Sequence, residues 1–272
     1  DTAPLYGHGR ADEVLVKALG AKRHDVVIAT KVGVRWDNEG MHAQSHLDPE
    51  WIVTDTEASL RRLRLDVIPL LQVHWPCERD TPLEASLEAL TRLQEQGKIR
   101  YFGLCNYDAQ SLARALELAP VASLQTPYSM IRREFENGLR DVVAPRGADG
   151  PAAQRVGVLA YEPLARGLLS GKFRAPPRFP DTDLRARDHR FQEPAFSRIR
   201  PLVRALELVG QRVDVPPAAL AIAWVCTRPG VSVAIAGAKR PAQVEQNVRA
   251  VELLSRHRLW EALAPHVDAC RP

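Results

Sequence analysis

The sequence lacks long apolar runs and closely spaced pairs of cysteines. No segment of the 272-residue chain approaches the roughly 20 apolar residues that a membrane-spanning helix needs, and no basic and apolar leader opens it. The four cysteines, Cys77, Cys105, Cys226 and Cys270, are scattered, which argues against a zinc site and a disulfide framework. We therefore expect a cytoplasmic protein with no membrane partner and no metal.

The charged residues are not concentrated in blocks of one sign. Lys and Arg number 37 and Asp and Glu number 33, for a net charge of +4, and the two signs are interleaved, as in residues 61–66. A nucleic-acid-binding domain instead gathers its basic residues on one face. We therefore expect no nucleic-acid partner and an ordinary globular domain, with 45% hydrophobic and 26% charged residues.

Short apolar runs alternate with longer stretches of helical periodicity, which predicts βαβ units and a parallel sheet. The runs lie at residues 25–30, 67–73, 99–104, 122–125, 156–160 and 231–235. The helical stretches lie at residues 10–19, 51–63, 83–96, 109–118, 199–213, 218–227 and 241–253. We predict an α/β fold, a (β/α)8 TIM barrel that forms one domain over residues 1–272. Since only six full strands and a stub at residues 1–2 are counted, we expect the N-terminal strand or strands of the barrel to be missing from this chain.

Four polar residues stand where chemistry is expected. Lys31 and His74 follow two of the apolar runs, and barrels carry their active sites at the carboxyl ends of strands. Asp1 and Tyr6 belong to the opening segment, which also contains two glycines. The opening segment and His74 have simpler interpretations, a tight turn with a packed Tyr6 for the former and a satisfied core histidine for the latter.

Together these residues fit the reduction of a carbonyl group. A carbonyl that accepts hydride becomes an alkoxide and needs a proton donor. A tyrosine can serve if a neighbouring lysine ammonium lowers the pKa of the phenol, and an aspartate paired with that lysine keeps the lysine charged. A histidine beside the same oxygen can orient the carbonyl. We therefore predict Tyr6 as the general acid, assisted by Lys31, Asp1 and His74.

Several segments, in the order of a barrel, share their pattern with one family. They are DTAPLYGHGR (1–10), TKVG (30–33), LQVHWP (71–76), GKIRYFGLCNY (97–107), LQTPYS (124–129), AYEPLARGLLSGK (160–172) and GAKRPAQVEQN (237–247). On these segments the chain resembles the aldo-keto reductase superfamily, and its bacterial branch in particular. The resemblance covers essentially the whole chain and implies an NADPH-dependent oxidoreductase that reduces aldehydes or ketones of small molecules, with Asp1, Tyr6, Lys31 and His74 as its tetrad.

The resemblance also implies a binding site for NADPH. Asn106 and Gln125 would hold the nicotinamide carboxamide, and Tyr161 would stack on the nicotinamide ring. Leu164, Gly167 and Leu169 would line the pyrophosphate path, and the adenine end would be held by Lys239, Arg240, Gln243 and Asn247. Three alternatives stay open: Tyr161 in the core, Asn106 as a helix cap, and Lys239 and Arg240 as surface charges. Cys105 departs from the usual Ser, and a thiol is a weaker donor.

Lys239 and Arg240 favour NADPH over NADH. They precede Pro241, which suits the first position of the helix that follows. A helix N-terminus with two flanking cations suits a phosphate dianion better than a ribose hydroxyl. NADH would favour an acidic residue, and none lies between Gly237 and Gln243.

The substrate and the assembly are less defined. Trp36, Trp75 and Tyr128 are predicted to wall the substrate pocket, with a packing role as the alternative. The segment at residues 145–154 is interpreted as an insertion, and the long loop at residues 173–194 carries no readable ligand code for the natural carbonyl. The sequence indicates no oligomeric state. Two other functions stay open, a non-catalytic NADPH-binding regulatory subunit and a Schiff-base aldolase that uses Lys31.

Overall fold

The structure is a computed structural model that describes residues 1–36, 42–77, 81–144 and 155–270. Residues 145–154, interpreted above as an insertion, lie outside these ranges. The strands are β1 (Ala29–Val32), β2 (Val34–Trp36), β3 (Ala43–Ser45), β4 (Ile68–Val73), β5 (Ile99–Cys105), β6 (Ser123–Pro127), β7 (Gly157–Tyr161) and β8 (Val231–Ile235). The helices are α1 (Arg10–Leu19), α2 (Pro49–Leu63), α3 (Leu83–Glu95), α4 (Ala109–Leu118), α5 (Leu139–Val143), α6 (Ala195–Val213), α7 (Pro217–Cys226), α8 (Pro241–Val248) and α9 (His257–Asp268).

Six strands belong to one sheet in the order β1-β4-β5-β6-β7-β8, whereas β2 and β3 form an antiparallel pair. The pairs β1–β4, β4–β5 and β5–β6 are parallel. The prediction of an α/β fold with a parallel sheet is therefore confirmed. The chain divides into two compact units, residues 1–126 with 141–158 and residues 127–140 with 159–272.

In the first unit, the register of the parallel strands places side chains in rows. Lys31 is opposite Gln72, Gln72 is opposite Gly103, and Gly103 is opposite Ser123. Residues two apart on a strand share a face of the sheet, so Gln125 lies on the same face as Ser123, one row closer to the carboxyl ends. A Cβ on Gly103 would lie 2.0 Å from the Ser123 hydroxyl oxygen, so only glycine fits beside Ser123 at this point.

The helices of the first unit begin at side-chain caps. Asp48 accepts hydrogen bonds from the backbone N–H groups of Glu50 and Trp51, and Pro49 is the first residue of α2. Asp108 accepts a bond from Ser111 N at 2.7 Å, the cap that its position before α4 indicates. The prediction of α2 began two residues too late, at Trp51, because the Asp-Pro start signal was overlooked.

In the second unit, the sequence of α7 shows little amphipathic periodicity because the helix has no exposed face. The segment Ala218–Val225 is buried on all sides, and α7 packs against α6, α8 and β8. Helix α6 begins at Ala195, four residues before the predicted start, and α9 was not predicted at all. In the part of the chain that the structure describes, no helix has both the length and the apolar surface to cross a bilayer.

Candidate active site

Lys31 is the most deeply buried charge of the first unit's site. It lies in β1, its side chain is 1% exposed, and its Nζ contacts Asp1 Oδ2 at 2.7 Å. The same Nζ donates to the backbone oxygen of Thr2 at 3.0 Å. A buried ammonium needs such partners because an unpaired charge in the interior costs several kcal/mol. Burial still lowers the pKa of Lys31, although the neighbouring Tyr6 favours its charged form.

Tyr6 and His74 complete the cluster that the sequence predicted. Lys31 Nζ lies 3.5 Å from Tyr6 Oη, at the outer limit of a hydrogen bond, and 5.1 Å from the centre of the Tyr6 ring. The His74 ring stands nearly perpendicular to the Tyr6 ring, with centroids 6.0 Å apart. Tyr6 is 43% exposed, whereas Lys31 and His74 are buried, so of these three side chains the phenol is the one most accessible to a ligand.

His74 is held neutral at physiological pH. Burial, and then the positive charge of Lys31, lower the pKa of His74 from 6.5 to about 4. Its backbone N–H donates to Val32 O at 3.0 Å, which fixes the residue at the end of β4 beside β1. A neutral imidazole can donate one hydrogen bond and accept another, so His74 can orient a polar ligand without adding a charge.

Gln125 contacts the site through Asp1. Its Nε2 donates to Asp1 Oδ1 at 2.9 Å and to Gln72 Oε1 at 3.2 Å. A side-chain amide nitrogen has two hydrogens, and both are used here. The Cys105 thiol donates to Gln125 Oε1 at 3.6 Å, so one lone pair of this oxygen is used and the other remains for a further donor. The sequence placed Gln125 at a cofactor carboxamide and did not predict its contact with Asp1.

Asn106 follows β5 with a positive φ of 66°, which few residues other than glycine adopt readily. Its Nδ2 donates to His74 O at 3.0 Å and lies 3.2 Å from Cys105 Sγ. The alternative that Asn106 caps α4 is wrong, because Asp108 is the cap. Burial raises the pKa of Cys105 to about 12, so this residue is a neutral thiol where the family pattern has a serine.

Two buried carboxylates beneath the site were not predicted. Asp12 is fully buried in α1 and accepts hydrogen bonds from Thr2 Oγ1 at 2.8 Å and from Arg62 Nε at 3.0 Å. Asp55 in α2 accepts from the backbone N–H of Gly33, directly after β1, at 3.2 Å. In both cases the available signal was an acidic residue on the apolar face of a helix, since Asp12 lies one turn before the buried Val16.

Replacing Asp55 with Asn is expected to stabilise the chain at pH 7 more than at pH 4. Burial raises the pKa of Asp55 from 3.8 to about 6, so the folded chain holds this proton more tightly than the unfolded chain does, and stability is lost as the pH rises through that window. A pKa raised this far corresponds to about 3 kcal/mol at most. Asn keeps an acceptor for Gly33 and carries no charge.

Urea unfolding at both pH values measures this difference. Asp48→Asn is the matched control, because Asp48 caps α2 from a partly exposed position and Asn caps as well as Asp. An equal change of the free energy of unfolding at pH 4 and pH 7 for Asp55→Asn would contradict the prediction.

The three aromatic residues predicted to wall a substrate pocket have different surroundings. In the first unit, Trp36 stacks on His8 with ring centroids 5.0 Å apart, and Trp75 lies 5.0 Å from the His74 ring. In the second unit, Tyr128 is 1% exposed and donates from its hydroxyl to Glu136 at 2.6 Å. The contacts of Tyr128 fit the packing role that the sequence analysis gave as the alternative. Of the three aromatic residues, Trp75 is the one whose ring lies beside a predicted catalytic residue, His74.

A cavity of about 500 Å³ lies in the second unit and contains many of the residues predicted to bind a dinucleotide. We call it the Lys239 cavity, and its lining includes Leu164, Gly167, Lys239 and Gln243. The side chain of Gln243 accepts a hydrogen bond from Lys239 N at 2.8 Å, and Arg240 is the N-cap residue of α8, with Pro241 at the first helical position as predicted.

Four other residues of the second unit that were predicted to bind the cofactor do not line the Lys239 cavity. Tyr161 is the last residue of β7, and its backbone oxygen accepts from Tyr128 N at 3.0 Å. Leu169 is fully buried, Asn247 lies in the last turn of α8, and the side chain of Arg240 is exposed at the start of that helix. Their roles toward a cofactor stay predictions.

The Lys239 cavity is more basic than the sequence predicted. Arg166, Lys172 and Arg185 also line it, and none of the three was assigned a role. Burial, and then the charges of Arg185, Lys239 and Arg240, lower the pKa of Lys172. The cations therefore crowd one another, which an anionic ligand would relieve. Sequence could not reveal this group, since Arg185 belongs to the irregular loop and is brought to Lys239 only by the fold.

Gly167 gives this cavity a bare stretch of backbone. Its φ is +98°, and a Cβ there would lie 3.0 Å from Lys172 Nζ. A side chain at this position would thus displace the ammonium group and cover the backbone, so the glycine allows a ligand to approach both.

Comparisons with known proteins show the family of this chain. The model of the aldo/keto reductase family matches residues 1–263. The chain belongs to the aldo-keto reductase family. The family and its solved members share the (β/α)8 barrel class predicted from the sequence.

Several relatives of this aldo-keto reductase chain have informative names. The aldo-keto reductase YhdN of Bacillus subtilis is 36% identical over 90% of this chain and 72% of its own length. The aldo-keto reductase yakc [NADP(+)] of Schizosaccharomyces pombe is 30% identical over 93% and 73%. An NADH-specific methylglyoxal reductase of Escherichia coli is 28% identical over 93% and 78%.

Among solved structures, a glycerol dehydrogenase from Gluconobacter oxydans matches with a TM-score of 0.84 and 32% identity. The match covers 98% of this reductase chain and 81% of the dehydrogenase chain. The names of this glycerol dehydrogenase and of the methylglyoxal reductase both describe oxidoreductases.

Proposed function

We propose that this chain reduces the carbonyl group of a small aldehyde or ketone to an alcohol, with NADPH as the hydride donor. The observation that carries the proposal is the contact of Lys31 Nζ with both Asp1 and the hydroxyl of Tyr6, beside a neutral His74. A buried ammonium next to an accessible phenol is an arrangement for proton transfer. The scattered placement of the four cysteines along the sequence is typical of a reducing compartment such as the cytoplasm.

The chemistry of the Lys239 cavity fits NADPH. Its cations match the phosphate groups, and the bare backbone at Gly167 suits a close approach of the pyrophosphate. Lys239 and Arg240 would take the 2′-phosphate, with Gln243 and Asn247 near the adenine end, and the roles of Tyr161, Asn106 and Gln125 toward the nicotinamide stay those that the family resemblance implies. When bound, NADPH supplies the hydride.

The relatives do not by themselves decide between the two nicotinamide cofactors. One relative has NADP(+) in its name and another is named NADH-specific. The choice of NADPH rests on the pair Lys239 and Arg240 at the start of α8, because this segment offers two cations and no carboxylate to a 2′-phosphate.

The residues of the first unit orient the carbonyl group and supply its proton. The neutral imidazole of His74 donates a hydrogen bond to the carbonyl oxygen and orients it. The hydroxyl of Tyr6 delivers its proton to that oxygen as negative charge develops there, a contribution of typically 10²–10⁴-fold to the rate. The ammonium of Lys31 stabilises the phenolate that Tyr6 becomes. Asp1, fixed by Gln125 through its second oxygen, keeps Lys31 in place.

The geometry favours this role of Lys31 over Schiff-base formation. The ammonium has three hydrogens, and three oxygen partners surround it, on Asp1, Thr2 and Tyr6. A nucleophilic lysine must be neutral and must reach the substrate carbon. Lys31 is 1% exposed, so a substrate would have to displace these partners.

Turnover of NADPH with a panel of aldehydes, keto sugars and quinones tests the proposed function. We expect oxidation of NADPH with at least one carbonyl, and its loss in Lys31→Met, because no cation then stabilises the Tyr6 phenolate. Lys98→Met is the control, since Lys98 also pairs with a carboxylate, Glu57 at 2.7 Å, but on the surface.

Two outcomes would overturn the proposal. A regulatory subunit would bind NADPH and oxidise none with any carbonyl. An aldolase would retain its substrate on Lys31 after borohydride reduction, as a mass increase that Lys31→Met abolishes.

A further inference from the structure

A second cleft lies in the second unit, and of its lining residues Arg166 also lines the Lys239 cavity. Its volume is about 650 Å³, and five arginines line it. They are Arg132, Arg166, Arg187, Arg190 and Arg198, and we call the feature the arginine cleft. Ile131, Leu184 and Ile199 supply an apolar part of the wall, and Arg198 and Ile199 belong to the first turns of α6.

Three of these arginines share two carboxylates. Glu162 contacts Arg166 Nε at 2.9 Å, Arg132 Nη1 at 3.4 Å and Arg190 Nη2 at 3.5 Å. Asp188 contacts Arg190 Nη2 at 2.6 Å and Arg166 Nη1 at 3.6 Å. Asp188 and Arg190 are largely buried, with side chains 6% and 14% exposed, whereas Arg132 and Arg166 are partly exposed to solvent. Three guanidinium groups against two carboxylates leave a positive charge in a partly buried place.

The other two arginines add to this excess. Arg187 and Arg198 are exposed, and neither side chain has an ion pair or a hydrogen bond within the described ranges. Counting Glu162, Asp188 and Glu134, which lies 4.0 Å from Arg132, the group has five positive and three negative charges, an excess of two. A concave surface with excess charge of one sign concentrates ions of the opposite sign.

We propose that the arginine cleft is a binding site for a small organic phosphate monoester, separate from the Lys239 cavity. A monoester carries a charge of about −1.5 to −2 at pH 7, close to the excess of the cleft. Its oxygens can accept bidentate bonds from guanidinium groups, which is the geometry that arginine provides and lysine does not. The apolar wall at Ile131, Leu184 and Ile199 suits the carbon skeleton of the ester. The inference does not depend on the proposed reductase activity.

Isothermal titration with phenyl phosphate tests the site, with phenol as the uncharged analogue. We expect one binding event in the wild type that Arg187→Ala/Arg198→Ala weakens by at least about tenfold, since charge-assisted bonds are among the strongest that side chains make. Both arginines lack partners in the described chain, so their removal should leave thermal unfolding unchanged.

Two further variants distinguish binding in the arginine cleft from non-specific electrostatic attraction to the surface and from binding in the Lys239 cavity. Arg212→Ala/Arg258→Ala removes the same charge from exposed positions outside the cleft, and Lys239→Ala/Arg240→Ala alters the other site. We expect phenyl phosphate to bind both as it binds the wild type.

Each alternative result would contradict the proposal. An equal loss in Arg212→Ala/Arg258→Ala would show a general charge effect, and a loss confined to Lys239→Ala/Arg240→Ala would place the phosphate in the other cavity. Equal binding of phenylsuccinate would overturn the assignment to phosphate. No binding of phenyl phosphate to the wild type would overturn the site itself.

Discussion

Replacement of Tyr6 with Phe is expected to lower the turnover of an aldehyde at least about 10²-fold while the dissociation constant of NADPH stays nearly the same. The substitution removes one oxygen atom and with it the proton that the developing alkoxide needs. The ring remains, so its perpendicular contact with His74, at 6.0 Å between centroids, is retained. Lys31 keeps Asp1 and Thr2 as partners and stays paired.

The measurement is steady-state oxidation of NADPH together with a fluorescence titration of cofactor binding. Tyr101→Phe is the matched control, because Tyr101 lies in β5 with a ring 54% exposed and belongs to no part of the site. We expect wild-type turnover for the control. If Tyr6→Phe retained most of its turnover, Tyr6 would not be the proton donor.

Removal of Lys239 and Arg240 by substitution with Ala is expected to weaken NADPH binding by about 10²-fold or more. Charge-assisted hydrogen bonds contribute roughly 1.5–3 kcal/mol each, so the loss of both contacts to a 2′-phosphate gives a change of that size. NADH has no 2′-phosphate, and its affinity should barely change. Lys172 and Arg185 remain in the cavity and still serve the pyrophosphate that both cofactors carry.

Dissociation constants of both cofactors, measured for the wild type and the double variant, decide this. Arg256→Ala/Arg258→Ala serves as the control, since it removes two exposed arginines from the start of another helix, α9. If the wild type bound NADPH and NADH equally, or if the double variant lost both alike, the segment would not read the 2′-phosphate.

The sequence predicted elements well where local signals and packing agree. Helices α1 and α4 and strand β8 have the predicted bounds. Strand β1 was predicted from Asp25, but it begins at Ala29, the first residue that pairs with β4, and Val27 is 77% exposed. An apolar run thus indicates a strand but not where its partner begins. Helix α9 was overlooked because Pro265 interrupts its pattern, although Trp260 and Val267 are buried at helical spacing.

The candidate site was predictable as a set of residues but not as a set of contacts. Lys31 and His74 lie together because the strands that position them, β1 and β4, are parallel neighbours, whereas Asp1 and Tyr6 reach them from the irregular segment before α1. The bond between Gln125 and Asp1 joins residues 124 positions apart, and it depends on which row of the sheet each strand reaches. Arg185 and Lys239 could not be placed together from the sequence either, because the segments that carry them show no periodic pattern from which their position could be predicted.

Arg166 lines both the Lys239 cavity and the arginine cleft. One guanidinium group cannot make its best contacts on both sides at once, so a ligand that draws it toward one site changes what the other site offers. Thermodynamic linkage makes such an influence reciprocal. The factor by which a phosphate ester alters the affinity for NADPH must equal the factor by which NADPH alters the affinity for the ester, and titrating the two in either order closes the same cycle.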